Sequence, residues 1–263
     1  MNLYEDDLSA WAAGLGMPLR DLLAVNAAHE MAQFGEAKLT GTSVVMATKK
    51  LGMVHGRNLD WDMKGIGDST VVYHFVGCPL EFMSISFPGL VGVLSGMGPG
   101  RFSISLSRAT PQGRPTLDWG PQVLVRHVLE EAIDYDKAVE MISDTPLRTP
   151  GLFTLASADG ERACVIERAR KHCAVREFEG TPLVAATHYA TPALSQYNTT
   201  PALVDVSKAQ ARLARTAAEN VSIGELGDLF EVLNAEGVIT EATCQQVAFA
   251  PKDGLYCAVG RSV

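Results

Sequence analysis

Thr40-Gly41-Thr42-Ser43-Val44-Val45, followed at a short remove by Val54-His55-Gly56-Arg57-Asn58-Leu59-Asp60-Trp61-Asp62, carries the reading of this chain. Between the two lies Lys49-Lys50-Leu51-Gly52, a turn signal, with the apolar run Ser43-Val44-Val45-Met46-Ala47 before it and Met53-Val54-His55-Gly56 after it. Short apolar runs on either side of a Gly-containing turn predict a β-hairpin. A hairpin brings its open ends together, so Gly41 and Thr42 are expected near Arg57 and Asp60. Arg57 and Asp60, three residues apart, are expected to form a charge-assisted pair at a strand end. The plainer alternative is a satisfied surface ion pair beside a turn.

Outward from the hairpin the periodicity alternates between helix and strand. Upstream, after Pro18, a helix is predicted over 19–33, with Leu22, Leu23, Ala27 and Met31 near one face. Downstream, Gly and Pro punctuate predicted strands over 70–76, 81–87, 91–94 and 101–107. Apolar residues at spacings of three and four then predict helices over 121–132 and 134–142. A second hairpin, 153–157 and 163–167, surrounds the turn Ala158-Asp159-Gly160. A strand over 183–186, helices over 207–219 and 223–235, and strands over 246–250 and 255–259 complete the chain. This order predicts a layered α+β architecture with antiparallel sheets.

Composition narrows the function classes. The 263 residues are 47% hydrophobic and 20% charged, which fits a globular chain and excludes disorder. A formal net charge of −8, with no Lys/Arg-rich run, argues against a nucleic-acid partner. No apolar stretch approaches the ~18–20 residues of a membrane span. The acidic start Met1-Asn2-Leu3-Tyr4-Glu5-Asp6-Asp7 is unlike a secretory leader, so the expected location is the cytoplasm. Cys78, Cys164, Cys173, Cys244 and Cys257 are scattered, with no Cys-x-x-Cys pair, and are expected to be small buried hydrophobes. His29, His74, His127 and His172 have no metal-ligand spacing, and His55 reads as a packed histidine; neither a metal nor a cofactor is expected. Gly96-Met97-Gly98-Pro99-Gly100 lacks the Lys-Ser/Thr of a phosphate cradle and reads as a loop between strands.

The hairpin stretch resembles the acid ceramidase and N-acylethanolamine acid amidase group, and more broadly the isopenicillin-N acyltransferase and choloylglycine hydrolase relatives. There a Cys-Thr-Ser tripeptide opens one strand and His-Gly-Arg-Asn-(Leu/Met)-Asp closes the next. Here Gly41-Thr42-Ser43 and His55-Gly56-Arg57-Asn58-Leu59-Asp60 keep that separation. Gly89-Leu90-Val91-Gly92-Val93-Leu94-Ser95-Gly96, Phe102-Ser103-Ile104-Ser105, Asp144-Thr145-Pro146-Leu147 and Arg215-Thr216 through Glu219-Asn220-Val221-Ser222 continue the resemblance over nearly the whole chain. It implies an N-terminal nucleophile (Ntn) hydrolase, a four-layer αββα sandwich whose precursor cuts itself before the cysteine. The freed α-amino group, with an ordinary pKa of roughly 7.7–8.0, then serves as base for the thiol. By the same resemblance, residues 1–40 are a propeptide-like helical segment on a core of residues 41–263, all one folded unit. Arg57 and Asp60 orient the amine and a small N-acyl amide substrate, and a homo-oligomer is compatible with this reading.

Three family features are replaced. Gly41 stands where the nucleophilic cysteine belongs. The oxyanion asparagine has given way to Ala185-Ala186-Thr187-His188-Tyr189, which puts Thr187 or, with a one-residue slip, His188 in its place. Gln210 falls near the position of a second family arginine, and Arg212 is the closest arginine. Gly41 thus marks a precursor trapped by substitution, a non-hydrolysing relative, or a chain cut before Thr42, which would then be the nucleophile. Strand alternation opposes the last, because it turns Thr42 away from Arg57. The expected function is an Ntn amidohydrolase or acyltransferase for a linear carbon–nitrogen amide, in a form without its cysteine. A ligand-binding pseudoenzyme and Thr42 catalysis are the alternatives. Asn58, Trp61, Met97 and Tyr189, with Phe87, are the expected substrate-contacting residues.

Overall fold

In a computed structural model, residues 4–31, 39–110, 114–169 and 171–262 are described. The deciding hairpin is β1 (Leu39–Thr48) and β2 (Gly52–Trp61), paired antiparallel with Gly41 opposite Leu59, Thr42 opposite Asn58, Ser43 opposite Arg57 and Thr40 opposite Asp60. To this pair the chain later adds β10 (Leu183–Ala185) beside β1, then β11 (Thr243–Ala250) beside β2 and β12 (Leu255–Gly260) outside it. The sheet order is β10-β1-β2-β11-β12. The other sheet is a seven-stranded meander: β3 (Val71–Phe75), β4 (Phe82–Ser86), β5 (Ser95–Gly98), β6 (Phe102–Arg108), β7 (Gly151–Ser157), β8 (Ala163–Ala169) and β9 (His172–Glu177).

The alternation of β6 shows why the sheets stack. Phe102, Ile104 and Leu106 point to one side, where α3 (Pro121–Glu131) and α4 (Tyr135–Asp144) cover them with Leu124, Val128 and Ile142. Ser103 and Ser105 point to the other side and meet Ser43 and His55 of the five-stranded sheet. On that sheet Val44 and Val54 turn outward to α6 (Pro201–Asn220) and α7 (Leu229–Leu233), where they pack with Ala214, Leu229 and Leu233. Between the sheets lie Val45, Met53 and Val165 in one patch, and Met83, Ile85 and Phe249 in another. The layers run helix, sheet, sheet, helix. This is the four-layer αββα sandwich.

Two helices precede it. α1 (Glu5–Leu15) ends at Gly16 in the left-handed conformation, and α2 (Leu19–Met31) follows Pro18. Asp7 pairs with Arg126 of α3, and the Asn26 side chain donates to the Gly89 carbonyl while accepting from the Val91 N–H. Gly89 sits at positive φ, and a Cβ there would lie 2.7 Å from Leu22, so the close seat of α2 needs glycine. Of the helical face expected in the sequence, Leu22 is buried but Leu23 and Ala27 are exposed; the Met31 side chain and Gln33 lie outside the described residues. The short α4 is capped by Asp134, whose carboxylate accepts from the Lys137 N–H. A short α5 (Pro192–Ser195) links β10 to α6.

Other boundaries moved. The expected strand over 91–94 is connecting loop, and strand β5 uses Ser95–Gly98 from the stretch expected to be loop. Its Gly96 lets Leu129 of α3 and the Met83 carbonyl approach within 2.8 Å of where a Cβ would be, which glycine alone permits. α6 begins at Pro201, six residues early, because proline is tolerated in the first helical turn. The helix expected over 223–235 is reduced to a 3-10 turn, Leu226–Asp228, and the five-residue α7. Strand β9 was not expected: its exposed, polar edge carries little apolar signal. Among the cysteines, Cys164 and Cys244 are buried, but Cys78 and Cys173 are exposed, so the expectation of buried hydrophobes fails for those two.

Candidate active site

Asp60 is held on the helix-facing side of β2. Its Oδ1 accepts from Thr243 Oγ1 at 2.6 Å; its Oδ2 accepts from Thr40 Oγ1 at 3.3 Å and from Gln210 Nε2 of α6 at 3.4 Å. Burial pushes the carboxyl pKa up, against the downward pull of these three donors. Asn58, on the same face, donates to the Leu233 and Val238 carbonyls and accepts from Gln246. It locks α7 to the sheet.

Arg57 leaves the strand on the other face. Its guanidinium donates to the Leu94 and Leu106 carbonyls and to Ser95 Oγ, all on the opposite sheet or the loop leading into it. Burial pulls its pKa down to about 10, against the upward pull of Cys244 and Asp60. The expected Arg57–Asp60 pair is therefore not formed. Residues three apart on a strand point to opposite faces, so the strand geometry itself separates them. Neither residue is the exposed surface pair of the plainer reading, since both are buried.

Position 41 lies in the ladder between these two networks. A Cβ built on Gly41 would stand 2.5 Å from the Asn58 carbonyl oxygen, so the space a side chain would need is taken by the neighbouring strand. Thr42 is fully buried opposite Asn58, on the face away from Arg57, and its hydroxyl has no hydrogen-bond partner among the described residues.

Thr187 and His188 follow β10. The Thr187 N–H donates to Ser207 Oγ of α6 at 2.7 Å, and His188 Nδ1 lies 2.7 Å from the same oxygen. Thr187, Ser207, Gln210 and Thr40 line a cavity of about 300 Å³ together with Leu203, Val206 and Leu213. Thr187 Oγ1 is buried without a partner. Thus the structure brings Thr187, Gln210, Thr40 and Asp60 together, and sets Arg57 behind the sheet from them. A larger cleft, about 830 Å³, lies between the N-terminal helices and the start of α3, away from every site residue read in the sequence.

The residues expected to contact substrate are not gathered into one pocket. Trp61 and Phe87 meet edge to face, with ring centroids 5.9 Å apart. Met97 lies in the patch between the sheets with Ile85 and Phe249, and Tyr189 packs with Leu152, Leu194 and Tyr197. Thr243 and Ser207 had no sequence signal, being far along the chain from the hairpin. Thr40 had one: it flanks the motif.

No family model matches the chain. Acid ceramidase from Pan troglodytes is 29% identical over 273 residues, covering 91% of this chain, and the human enzyme is 28% identical over the same share. The chain is a homologue of acid ceramidase. It spans 65% of the length of those relatives. N-acylethanolamine-hydrolyzing acid amidase from Caenorhabditis elegans is 28% identical over 185 residues, which are 63% of this chain and 51% of that protein. Among solved structures, the Caenorhabditis elegans orthologue of that amidase superposes with a TM-score of 0.62 at 22% identity, covering 80% of this chain and 93% of the other. A conjugated bile acid hydrolase variant from Clostridium perfringens gives 0.57 at 13% identity, covering 84% and 89%.

These relatives are Ntn amidohydrolases, and the αββα sandwich described above is their fold. Among the described residues, no helix is long and apolar enough to cross a membrane.

Proposed function

We propose that this chain takes a small N-acyl amide on the Ntn-hydrolase fold, in a form that lacks the cysteine nucleophile and stays uncut. The observation that carries this is at Gly41, where the Asn58 carbonyl fills the place of a side chain. Ntn chemistry needs that side chain twice: first to attack its own preceding peptide bond, then, with the freed amine as base, to attack the substrate. Glycine does neither.

Thr42 is a poor substitute, because its hydroxyl faces α6 and α7 while Arg57 faces the other sheet. The polar wall of the 300 Å³ cavity suits an amide: the unpartnered Thr187 hydroxyl is a donor for its carbonyl, and the α6 leucines and valine accept an acyl group. Asp60 keeps Gln210 and Thr40 in that wall. Residues 1–40 act in this reading as a retained propeptide-like segment.

Intact-mass measurement tests the reading. A single species at 28.1 kDa is expected, with and without incubation. Two fragments, broken before Gly41 or Thr42, overturn it. Gly41→Cys is the companion variant: prompt self-cleavage with gain of N-acyl amide hydrolysis would identify a trapped precursor instead of a retired nucleophile.

A further inference from the structure

Ser207 lines the cavity beside Asp60 and is hydrogen-bonded to His188, a pair of groups that Ntn chemistry does not use. Ser207 Oγ accepts the Thr187 N–H at 2.7 Å and lies 2.7 Å from His188 Nδ1. With one lone pair occupied by that N–H, the hydroxyl proton is available to His188 Nδ1, which accepts when the ring carries its own proton on Nε2. Burial, with the cations Arg176 and Lys208 nearby, lowers the His188 pKa against the opposing pull of Glu167. This favours the neutral ring, which can accept a proton. Ser207 and Thr187 both line the cavity, and the Thr187 hydroxyl is a buried donor without a partner.

We propose that Ser207, with His188 as its base, is a nucleophile toward short acyl compounds bound in this cavity. The inference rests on the reading that the cavity takes an acyl group, and names the residue that attacks it. Ser207 Oγ bonds to the acyl carbonyl carbon as its proton passes to His188 Nδ1. The oxyanion so formed accepts from Thr187 Oγ1. The bond to the leaving amine or alcohol then breaks, that group takes the proton from His188, and the acyl group remains on Ser207. A water molecule reverses the sequence: its proton goes to His188, its oxygen to the carbonyl carbon, and Ser207 recovers its proton as the acid departs. A cavity of about 300 Å³ is at the small end of ligand sites, which favours short acyl groups over long lipid tails.

The test uses the full chain with two probes, a fluorophosphonate, which bonds to an activated serine and releases fluoride, and p-nitrophenyl butyrate. One adduct per chain is expected, in the peptide containing Ser207, together with ester hydrolysis. Ser207→Ala should abolish both, and His188→Gln should slow hydrolysis about 10²–10⁴-fold. Thr187→Val should slow it about 10²–10³-fold with little change in KM. No adduct, an adduct on another residue, or hydrolysis that survives Ser207→Ala overturns the proposal. The adduct map on the unsubstituted chain decides the matter even where a variant fails to fold. The two readings fail separately: a cut before Gly41 or Thr42 overturns the one above, and an unlabelled Ser207 overturns this one.

Discussion

Arg57 and Asp60 leave the same strand in opposite directions, the guanidinium toward carbonyls of the second sheet and the carboxylate toward Gln210 on α6. Each is therefore satisfied by a different layer of the sandwich, and each can be altered separately.

Removing the Arg57 guanidinium leaves the Leu94 and Leu106 carbonyls without their buried cationic donor. Each hydrogen bond to a charged group contributes about 1.5–3 kcal/mol, and desolvation of the cation offsets part of the total. Arg57→Ala is expected to cost about 3 kcal/mol or more in urea unfolding. A loss under about 1 kcal/mol would mean that desolvation cancels the bonds.

Acid should weaken the fold through His55. This buried ring, bonded to Ser103 and Ser105, has its pKa pulled down to about 3 by burial and by Arg57. The unfolded chain binds the proton near 6.5 and the folded chain does not, so stability falls as pH drops from about 6.5 toward 3. Asp60, pushed up by burial, acts with the opposite sign, because the folded chain gains its proton first as pH falls toward about 4. His55→Gln should flatten the acid loss seen in melting temperature against pH, and Asp60→Asn should steepen it. Unchanged slopes in both variants would refute the assignment.

At Gly41 even one methyl group is expected to be costly. Alanine would put its Cβ 2.5 Å from a backbone oxygen, and backbone yields less readily than a flexible side chain. Gly41→Ala should lower stability by about 1–3 kcal/mol, read from thermal melts. A neutral substitution would show that β1 and β2 separate easily at this point.

The N-terminal helices are expected to stabilise the body they cover. Asn26 bonds to both sides of the turn at Gly89, so Asn26→Ala should cost about 1–3 kcal/mol. A chain starting at Thr42 should lose solubility, since the seat of Leu22 is uncovered. If that truncation is as soluble and heat-stable as the full chain, the packing contributes nothing.

Much of this arrangement was legible in local pattern. The hairpin could be read because Lys49-Lys50-Leu51-Gly52 separates two apolar runs, and the serine-isoleucine-serine alternation of β6 has period two. Motif spacing located Gly41, Arg57 and Asp60. What spacing did not convey was facing: Arg57 and Asp60 looked like partners because proximity in sequence says nothing about sides of a sheet until the register is known. Ser207 and Thr243 were hidden for another reason. Their roles arise from long-range packing, of α6 against the segment after β10 and of β11 against β2, which leaves no mark in the local residue pattern.

The middle of the sandwich has a mechanical consequence. Ser43, His55 and Arg57 reach across to Ser103, Ser105 and the Leu106 carbonyl, and such contacts fail when one leaf slides by an ångström or two, where methyl against methyl would tolerate it. Shear between the leaves is thereby resisted at its centre, and the two sheets are held to one fixed offset.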